Sequence, residues 1–145
     1  MKELMPGVVD HGVNIIVITG TKPGGNVCVV DVNPADGRPR ITLNDQSIEF
    51  PPGTFFWGLN YMGAKEGGDS FVLNLFQTAT VTMLGGHNQV HSGPGWTTCY
   101  LHGDHNVYDC DPAGSGYVFS YGGPNDQIID LPFVRVTREA EPTAF

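Results

Sequence analysis

The sequence predicts an all-β protein whose second half forms a parallel β-roll, a short β-solenoid, behind an N-terminal β cap. Glycine and proline number 20 and 11, while charged residues make up only 15% of the chain, as suits short strands joined by tight turns. Glycine turns recur at spacings of 18, 17 and 20 residues, counted from Gly68, Gly86, Gly103 and Gly123. Each interval holds two segments rich in Val, Ile, Thr, Tyr and Phe, which are typical of half-buried strands.

Residues 1–62 form the less regular part of the chain. A turn at Pro34-Ala35-Asp36-Gly37 and a break at Pro51-Pro52-Gly53 interrupt them, and glycine supplies the positive φ that such turns need. The segments predicted as strands are Val13–Thr19, Asn26–Val32, Arg40–Phe50 and Phe55–Tyr61. We expect this region to cap the solenoid, because an unpaired terminal edge invites aggregation.

Residues 63–136 hold the predicted coils, with two strands in each, and residues 137–145 form a tail on one compact unit. The predicted strand pairs are Ser70–Leu75 with Thr78–Leu84, Gln89–Ser92 with Trp96–Leu101, Val107–Cys110 with Tyr117–Tyr121, and Gln127–Leu131 with Phe133–Val136. Two strands per 18 residues or so is the content of one solenoid coil, which stacks on the previous one. An antiparallel sandwich with glycine-rich hairpins is the alternative, since it also places a strand every 8–12 residues or so.

Stacking of coils predicts rows of aligned side chains. The first strands should place four residues inward in one row, namely Phe71, Val90, Tyr108 and Ile128. The second strands should align Thr82, Cys99 and Phe119 in one row, and Leu84, Leu101 and Tyr121 in the next.

Charge and hydropathy narrow the classes of function. A net charge of -8 with seven basic residues argues against nucleic-acid binding, which needs clustered Lys and Arg. No apolar run has the length of a membrane span. The start, Met1–Asp10, lacks the pattern of a signal peptide, so the chain is cytosolic, exported without a leader, or trimmed. The odd set of Cys28, Cys99 and Cys110 predicts no disulfide framework, although Cys99 and Cys110 either pair or are buried thiols.

Several of the turns resemble a known repeat. The stretch Gly122-Gly123-Pro124-Asn125-Asp126-Gln127-Ile128 is similar to the nonapeptide of the repeats-in-toxin, or hemolysin-type, calcium-binding proteins. The stretch from Ile18 to Asn33 resembles the first strand-turn-strand unit of such proteins. The likeness covers residues 12–131 and implies a secreted or cell-surface β-roll that binds calcium between coils.

The resemblance also implies which residues would hold calcium. The position of the repeat's aspartate is occupied here, in order, by Asn26, Asp69, Asn88, Asn106 and Asp126. Three of the five have lost the charge, and calcium affinity falls with ligand charge. Asp69, Asp104 and Asp126 remain candidate calcium ligands. The favoured alternative is a ladder of amides along the turn edge, which stabilises the solenoid without metal.

Other residue groups are candidates for different sites. Stacked coils would bring His87 and His105 about 5 Å apart, and imidazole binds zinc or copper, although the sequence places no further ligand beside them. Carboxylates at Asp109, Asp111 and Asp130 could act on a polysaccharide. An aromatic strip for stacking sugars is the third candidate, with about half of its rings expected to face the core. Its members would be Trp57, Trp96, Tyr100, Tyr117 and Tyr121.

The leading interpretation is a non-enzymatic secreted or cell-surface structural module that associates with itself into an oligomer or filament, since strand ladders also propagate between subunits. Two alternatives stay open. One is a calcium-stabilised folding or adhesion module of a larger secreted protein. The other is a carbohydrate-binding or polysaccharide-processing β-helix.

Overall fold

The computed structural model describes residues 1–129 and 132–139 of the chain, and there the protein is an all-β solenoid, as the sequence predicts. One 3-10 turn, Gly123–Asn125, is the only helical element in these two stretches. Among the residues that the structure describes, no helix is long and apolar enough to cross a membrane. The last residues of the predicted strand Gln127–Leu131, and positions 140–145 of the tail, lie outside the described residues.

The strands form two sheets. In chain order they are β1 (Lys2–Met5), β2 (Val8–Asp10), β3 (Ile15–Thr19), β4 (Val27–Val32), β5 (Pro39–Leu43), β6 (Gln46–Glu49), β7 (Gly58–Met62), β8 (Ser70–Leu73), β9 (Ala79–Met83), β10 (Gln89–Ser92), β11 (Trp96–Leu101), β12 (Val107–Cys110), β13 (Ser115–Ser120), β14 (Gln127–Ile128) and β15 (Val134–Arg138). Sheet A has the order β1-β2-β3-β7-β9-β11-β13-β15, and sheet B has the order β14-β12-β10-β8-β4-β5-β6.

The chain alternates between the two sheets, which makes it a solenoid rather than a sandwich. From β7 onward each strand of sheet A leads into a strand of sheet B and then back again. Strands of successive coils pair in parallel within both sheets. Because hairpins produce antiparallel neighbours, this parallel pairing excludes the antiparallel sandwich.

The N-terminal region contributes both a first coil and a cap. β3 pairs in parallel with β7, and β4 pairs in parallel with β8, so the coils begin before residue 63. β1 and β2 continue sheet A as antiparallel strands, and β5 and β6 do the same for sheet B. The predicted strand Arg40–Phe50 is therefore a hairpin, which turns at Asn44 with a φ of 57°. The pairing in both sheets thus changes from parallel to antiparallel at these outer strands, and the stack of parallel coils ends there.

The predicted row of first strands is confirmed. Phe71, Val90, Tyr108 and Ile128 are Cα partners across neighbouring strands of sheet B. The first three of these side chains are buried.

The predicted row of second strands is wrong by one residue. Cys99 aligns with Val81 and Val118, and all three are buried. Thr82 and Phe119 instead align with Tyr100 on the outer face, while Leu101 aligns inward with Met83 and Ser120. A slip of one residue moves every side chain of a strand to the other face. The slip arises because the last glycine of the turn is not at a constant distance from the buried residue. Cys99 precedes Gly103 by four residues, whereas Val81 precedes Gly86 by five and Val118 precedes Gly123 by five.

The core lies between the two sheets. Its inward rows combine aliphatic side chains with a few aromatic rings, and the largest fully buried side chains are Tyr61, Tyr108, Phe56 and Phe71. The ring of Tyr61 lies 5.1 Å from that of Phe71, so the two sheets meet through an aromatic contact. Such burial of apolar surface is the main favourable term in folding.

Candidate functional site

The solenoid has two chemically different edges. The turns that lead from sheet A to sheet B, residues 20–26, 63–69, 84–88, 102–106 and 121–126, form what we call the glycine edge. The turns that return from sheet B to sheet A, residues 50–57, 74–78, 93–95, 111–114 and the described part of 129–133, together with the first residue of β11, form the aromatic edge. Candidate sites occur on both edges.

A ladder of buried amides and carboxylates runs along the glycine edge. Its members are Asn26, Asp69, Asn88, Asn106 and Asp126, each at most 3% exposed. In every step the side-chain oxygen of one residue accepts a hydrogen bond from the backbone N–H of its counterpart in the previous coil, over 2.9–3.1 Å. The predicted ladder is therefore present, and it lies inside the turns rather than along their surface.

The remaining polar atoms of the ladder are also hydrogen-bonded. The Nδ2 of Asn88 donates to the Leu84 carbonyl at 3.0 Å and to Oδ1 of Asn106 at 2.9 Å. The Nδ2 of Asn106 donates likewise to the His102 carbonyl and to Asp126. Because a buried polar group without a partner costs about 1–3 kcal/mol, this network stabilises each turn against its neighbour.

The three candidate calcium ligands lie in different environments. Asp69 accepts from the backbone N–H of Asn26 and of Ala64 and from the hydroxyl of Tyr61. Asp126 accepts from Asn106 through Oδ1 and from the Ser120 hydroxyl through Oδ2.

Two ladder residues, Asn88 and Asn106, lie between Asp69 and Asp126. The side chain of Asp104 is instead 50% exposed on the surface of the glycine edge. The structure thus does not bring these three carboxylates to one point.

Exposed histidines occupy two consecutive turns of the glycine edge. The rings of His87 and His105 lie 5.0 Å apart with an interplanar angle of 4°, which agrees with the separation expected from stacked coils. Nδ1 of His105 lies 3.0 Å from Oδ1 of Asp104. One ligand atom from each of the three residues lies within 4.8 Å of the others. Asp104, which precedes His105 in the sequence, therefore has a carboxylate oxygen close to both histidine rings.

The charge of Asp104 is stabilised by its neighbours. The hydrogen bond with His105 is the largest cause that lowers the pKa of the Asp104 carboxyl, and the nearby His87 acts in the same direction. A carboxylate that stays ionised is the form that binds cations.

Exposed aromatic side chains lie along the aromatic edge. Trp57 and Phe76 are 72% and 74% exposed, and Phe55 and Trp96 are 50% and 40% exposed. Phe55, Phe76 and Trp96 line a groove of about 390 Å³, and the other lining residues are Gln77, Thr78, Pro94, Gly95, Ala113 and Ser115. No charged residue is among these lining residues. Large exposed apolar patches mark interaction sites.

The aromatic strip predicted from the sequence lies largely outside the core. None of its five rings is buried, so the expectation that half would face the core is wrong. On the outer face of sheet A, Tyr100 stacks on Phe119 at 5.1 Å and Trp96 contacts Tyr117 edge-on at 5.2 Å. These rings align because parallel strands place equivalent residues side by side.

Two of the three candidate carboxylates of a polysaccharide-processing site, Asp109 and Asp111, lie in the described part of the chain. Asp109 lies on the outer face of sheet B, where its Oδ1 is 2.6 Å from Nδ1 of His91. Asp111 accepts a hydrogen bond from the backbone N–H of Ala113 in the aromatic edge. Asp130 lies outside the described residues.

The three cysteines are buried free thiols, so Cys99 and Cys110 do not pair. Burial raises the pKa of Cys28 to about 12, and it raises the pKa of Cys99 and of Cys110 as well. Because the thiolate is the reactive form, a raised pKa lowers the reactivity of these thiols.

Sequence reasoning did not single out Phe55 or Phe76. Phe76 lies between two predicted strands, where polar residues are common, and this is the signal that could have identified it. The sequence predicts Phe55 as the first residue of the strand Phe55–Tyr61, but β7 begins only at Gly58. Comparisons with protein-family models, with curated proteins and with solved structures found no match to this chain.

Proposed function

We propose that this chain is a non-enzymatic structural module, secreted or displayed at the cell surface, that associates with itself through its aromatic edge. The observation that carries the proposal is the row of exposed aromatic side chains formed by Phe55, Trp57, Phe76 and Trp96. Exposed aromatic rings contribute strongly to protein interfaces.

Charge restricts where two copies of the chain could meet, and it leaves this edge as the place of contact. The protein carries a net charge of -8, so two copies repel each other over most approaches. The residues that line the aromatic groove carry no charge, and two copies that meet there bring apolar surfaces together with little local repulsion. A twofold contact of this kind places the same edge on both sides of the interface.

The buried ladder supports a structural role that does not depend on metal. Each coil is tied to the next through hydrogen bonds of Asn and Asp side chains. The resemblance of the turns to the hemolysin-type repeat supports a location outside the cell. A calcium-stabilised module is the competing form of this proposal.

The test is sedimentation velocity of the wild-type protein and of two variants, over a range of protein and salt concentrations. We expect the wild type to associate, and to associate more at high salt because salt screens the repulsion. Phe76→Ser should lower the association constant at least about tenfold, because it removes a largely exposed ring from the contact. Val27→Thr is the control, since Val27 is 47% exposed on sheet B, away from the edge.

Two results would contradict the proposal. A wild-type protein that stays monomeric at high concentration and high salt removes its basis. Folding that is lost in a chelator and restored by calcium would replace the metal-free module with the calcium-stabilised one.

Carbohydrate binding is the second candidate function, and the composition of the groove favours it. The groove combines the rings of Phe55, Phe76 and Trp96 with the side chains of Thr78 and Ser115, and apolar walls with a few polar groups are typical of ligand sites. The measurement is co-sedimentation with insoluble cellulose and chitin. Retention of a monomeric wild type, lost in Trp96→Ala, would favour this function over self-association.

A further inference from the structure

We propose that His87, Asp104 and His105 form a binding site for one divalent transition-metal ion on the glycine edge. One ligand atom of each residue lies within 4.8 Å of the others. All three residues are exposed, so an ion can reach them from solvent. The proposed site is separate from the buried ladder and from the aromatic edge.

The backbone places both histidines where neighbouring coils use glycine. His87 and His105 have φ angles of 56° and 59°, and the equivalent residues Gly25 and Gly68 have φ angles of 73° and 74°. A residue other than glycine is strained in this region, and such strain is often found at ligand sites. Because the two histidines share one turn position in consecutive coils, their side chains leave the backbone in the same direction.

A direct contact between the turns fixes the third ligand. The backbone N–H of His87 donates to the backbone carbonyl of Asp104 over 2.9 Å. The carboxylate of Asp104 lies against the ring of His105, which in turn stacks on His87. The three ligands are thus held together before any metal binds, and only the side chains have to adjust.

The donor atoms select the class of ion. Two imidazole nitrogens and one carboxylate suit zinc, copper and nickel, whereas calcium prefers oxygen ligands alone. Zinc–nitrogen bonds of about 2.1 Å require the two nitrogens to approach to about 3.4 Å, so the stacked rings must tilt. Three protein ligands leave at least one coordination position for water or an outside ligand.

The experiment is calorimetric titration of the protein with zinc chloride, with His87→Gly and His105→Gly as test variants. Glycine adopts positive φ freely, so each variant removes a ligand without adding strain to the turn. His91→Ala is the control, because His91 pairs with Asp109 on the outer face of sheet B. We expect one zinc per chain with micromolar affinity, at least about tenfold weaker in both glycine variants and unchanged in the control.

Binding of Co²⁺ provides a second readout, since its visible absorption reports the ligands directly. Wild type and His91→Ala should give the same spectrum, while His87→Gly should lose it. The proposal is overturned if the wild type shows no saturable binding below millimolar zinc. It is equally overturned if both glycine variants keep the wild-type affinity, or if His91→Ala loses as much as they do.

Discussion

The two edges of the solenoid connect the same pair of sheets but are built in opposite ways. On the glycine edge the buried side chains are polar and hydrogen-bonded from coil to coil, as in the ladder around Asn88 and Asn106. On the aromatic edge the exposed side chains are apolar, with Trp57 and Phe76 among the most exposed. One edge therefore stabilises the stack of coils, and the other exposes apolar surface to solvent.

The difference lies in the side chains, because the backbones of adjacent coils approach each other closely on both edges. Backbones of adjacent coils approach closely at the glycine edge, where the N–H of Gly68 donates to the carbonyl of Gly86 over 3.0 Å. Side chains are excluded at such contacts, so hydrogen bonds must hold the turns. On the aromatic edge the backbones also approach closely at Gly93 and Gly95, but the rings of Trp57 and Phe76 are mostly exposed. Changes at these two rings should therefore affect binding more than folding.

The largest expected effect is that of Gly85→Ala. Gly85 has a φ of 79°, and a Cβ there would lie 2.5 Å from the backbone of Gly67 and of Lys65 in the preceding coil. Neither backbone can move without separating the coils, so we expect the free energy of unfolding to fall by at least about 4 kcal/mol. Urea denaturation followed by circular dichroism measures the loss.

Gly53→Ala is the matched control on the aromatic side. Gly53 also has a φ of 79°, but no atom lies within 4 Å of the added Cβ. Its cost should be the backbone strain alone, about 1 kcal/mol. Equal losses in the two variants would show that close approach of the coils at the glycine edge contributes nothing.

The next effect in size is that of Asn88→Ala, which interrupts the ladder at its centre. The substitution removes the acceptor of the Asp69 N–H and the donor to the Leu84 carbonyl. We expect the free energy of unfolding to fall by about 3 kcal/mol, because buried partners are left without hydrogen bonds. Gln89→Ala, at the exposed neighbouring position, should stay within about 0.5 kcal/mol of the wild type.

Calcium provides a separate check on the ladder. If hydrogen bonds alone hold the turns, calcium and chelator should give the same melting temperature for the wild type. The same should be true of Asn88→Ala. A wild-type melting temperature that rises with calcium would mean that an ion stabilises the coils.

The spacing of the glycine turns was sufficient to predict the solenoid and half of its register. Each inward residue of the first strands follows its ladder residue by two positions, as Val90 follows Asn88 and Tyr108 follows Asn106. This distance is constant because no turn lies between them. The predicted row Phe71, Val90, Tyr108 and Ile128 is therefore right.

The other half of the register depends on turns of variable length. Val81 and Cys99 precede their ladder residues by seven positions, but Val118 precedes Asp126 by eight. Counting from the glycines cannot detect the extra residue, which lies in the turn that contains Gly122 and Gly123. It also misplaces Thr82, because Gly86 lies two residues before Asn88 whereas Gly103 lies three before Asn106. The slip also hid the outward stacking of Tyr100 on Phe119.

The candidate sites were predictable only in part. The sequence placed His87 and His105 at the right separation, because that depends on the coil repeat alone. It did not predict that the carboxylate of Asp104 contacts the ring of His105, since that depends on the conformation of the turn. The exposure of Phe76 likewise depends on how the loop leaves the sheet.

The smallest expected effect on stability is that of His87→Gly in the presence of a chelator. Glycine relieves the strain at a φ of 56°, while the loss of the ring contact with His105 and the flexibility of glycine offset part of the gain. We expect the free energy of unfolding to be unchanged or to rise by up to about 1 kcal/mol. His91→Gly, the same substitution inside β10, should lower it by about 1 kcal/mol or more.

Zinc should then make the wild type more stable than His87→Gly. An ion that binds only the folded state stabilises by mass action, so zinc should raise the melting temperature of the wild type and leave that of His87→Gly almost unchanged. If His87→Gly instead destabilises the protein as much as His91→Gly in chelator, the left-handed backbone at His87 stores no strain. The contact between the stacked histidines would then serve to stabilise the glycine edge, rather than to bind an ion.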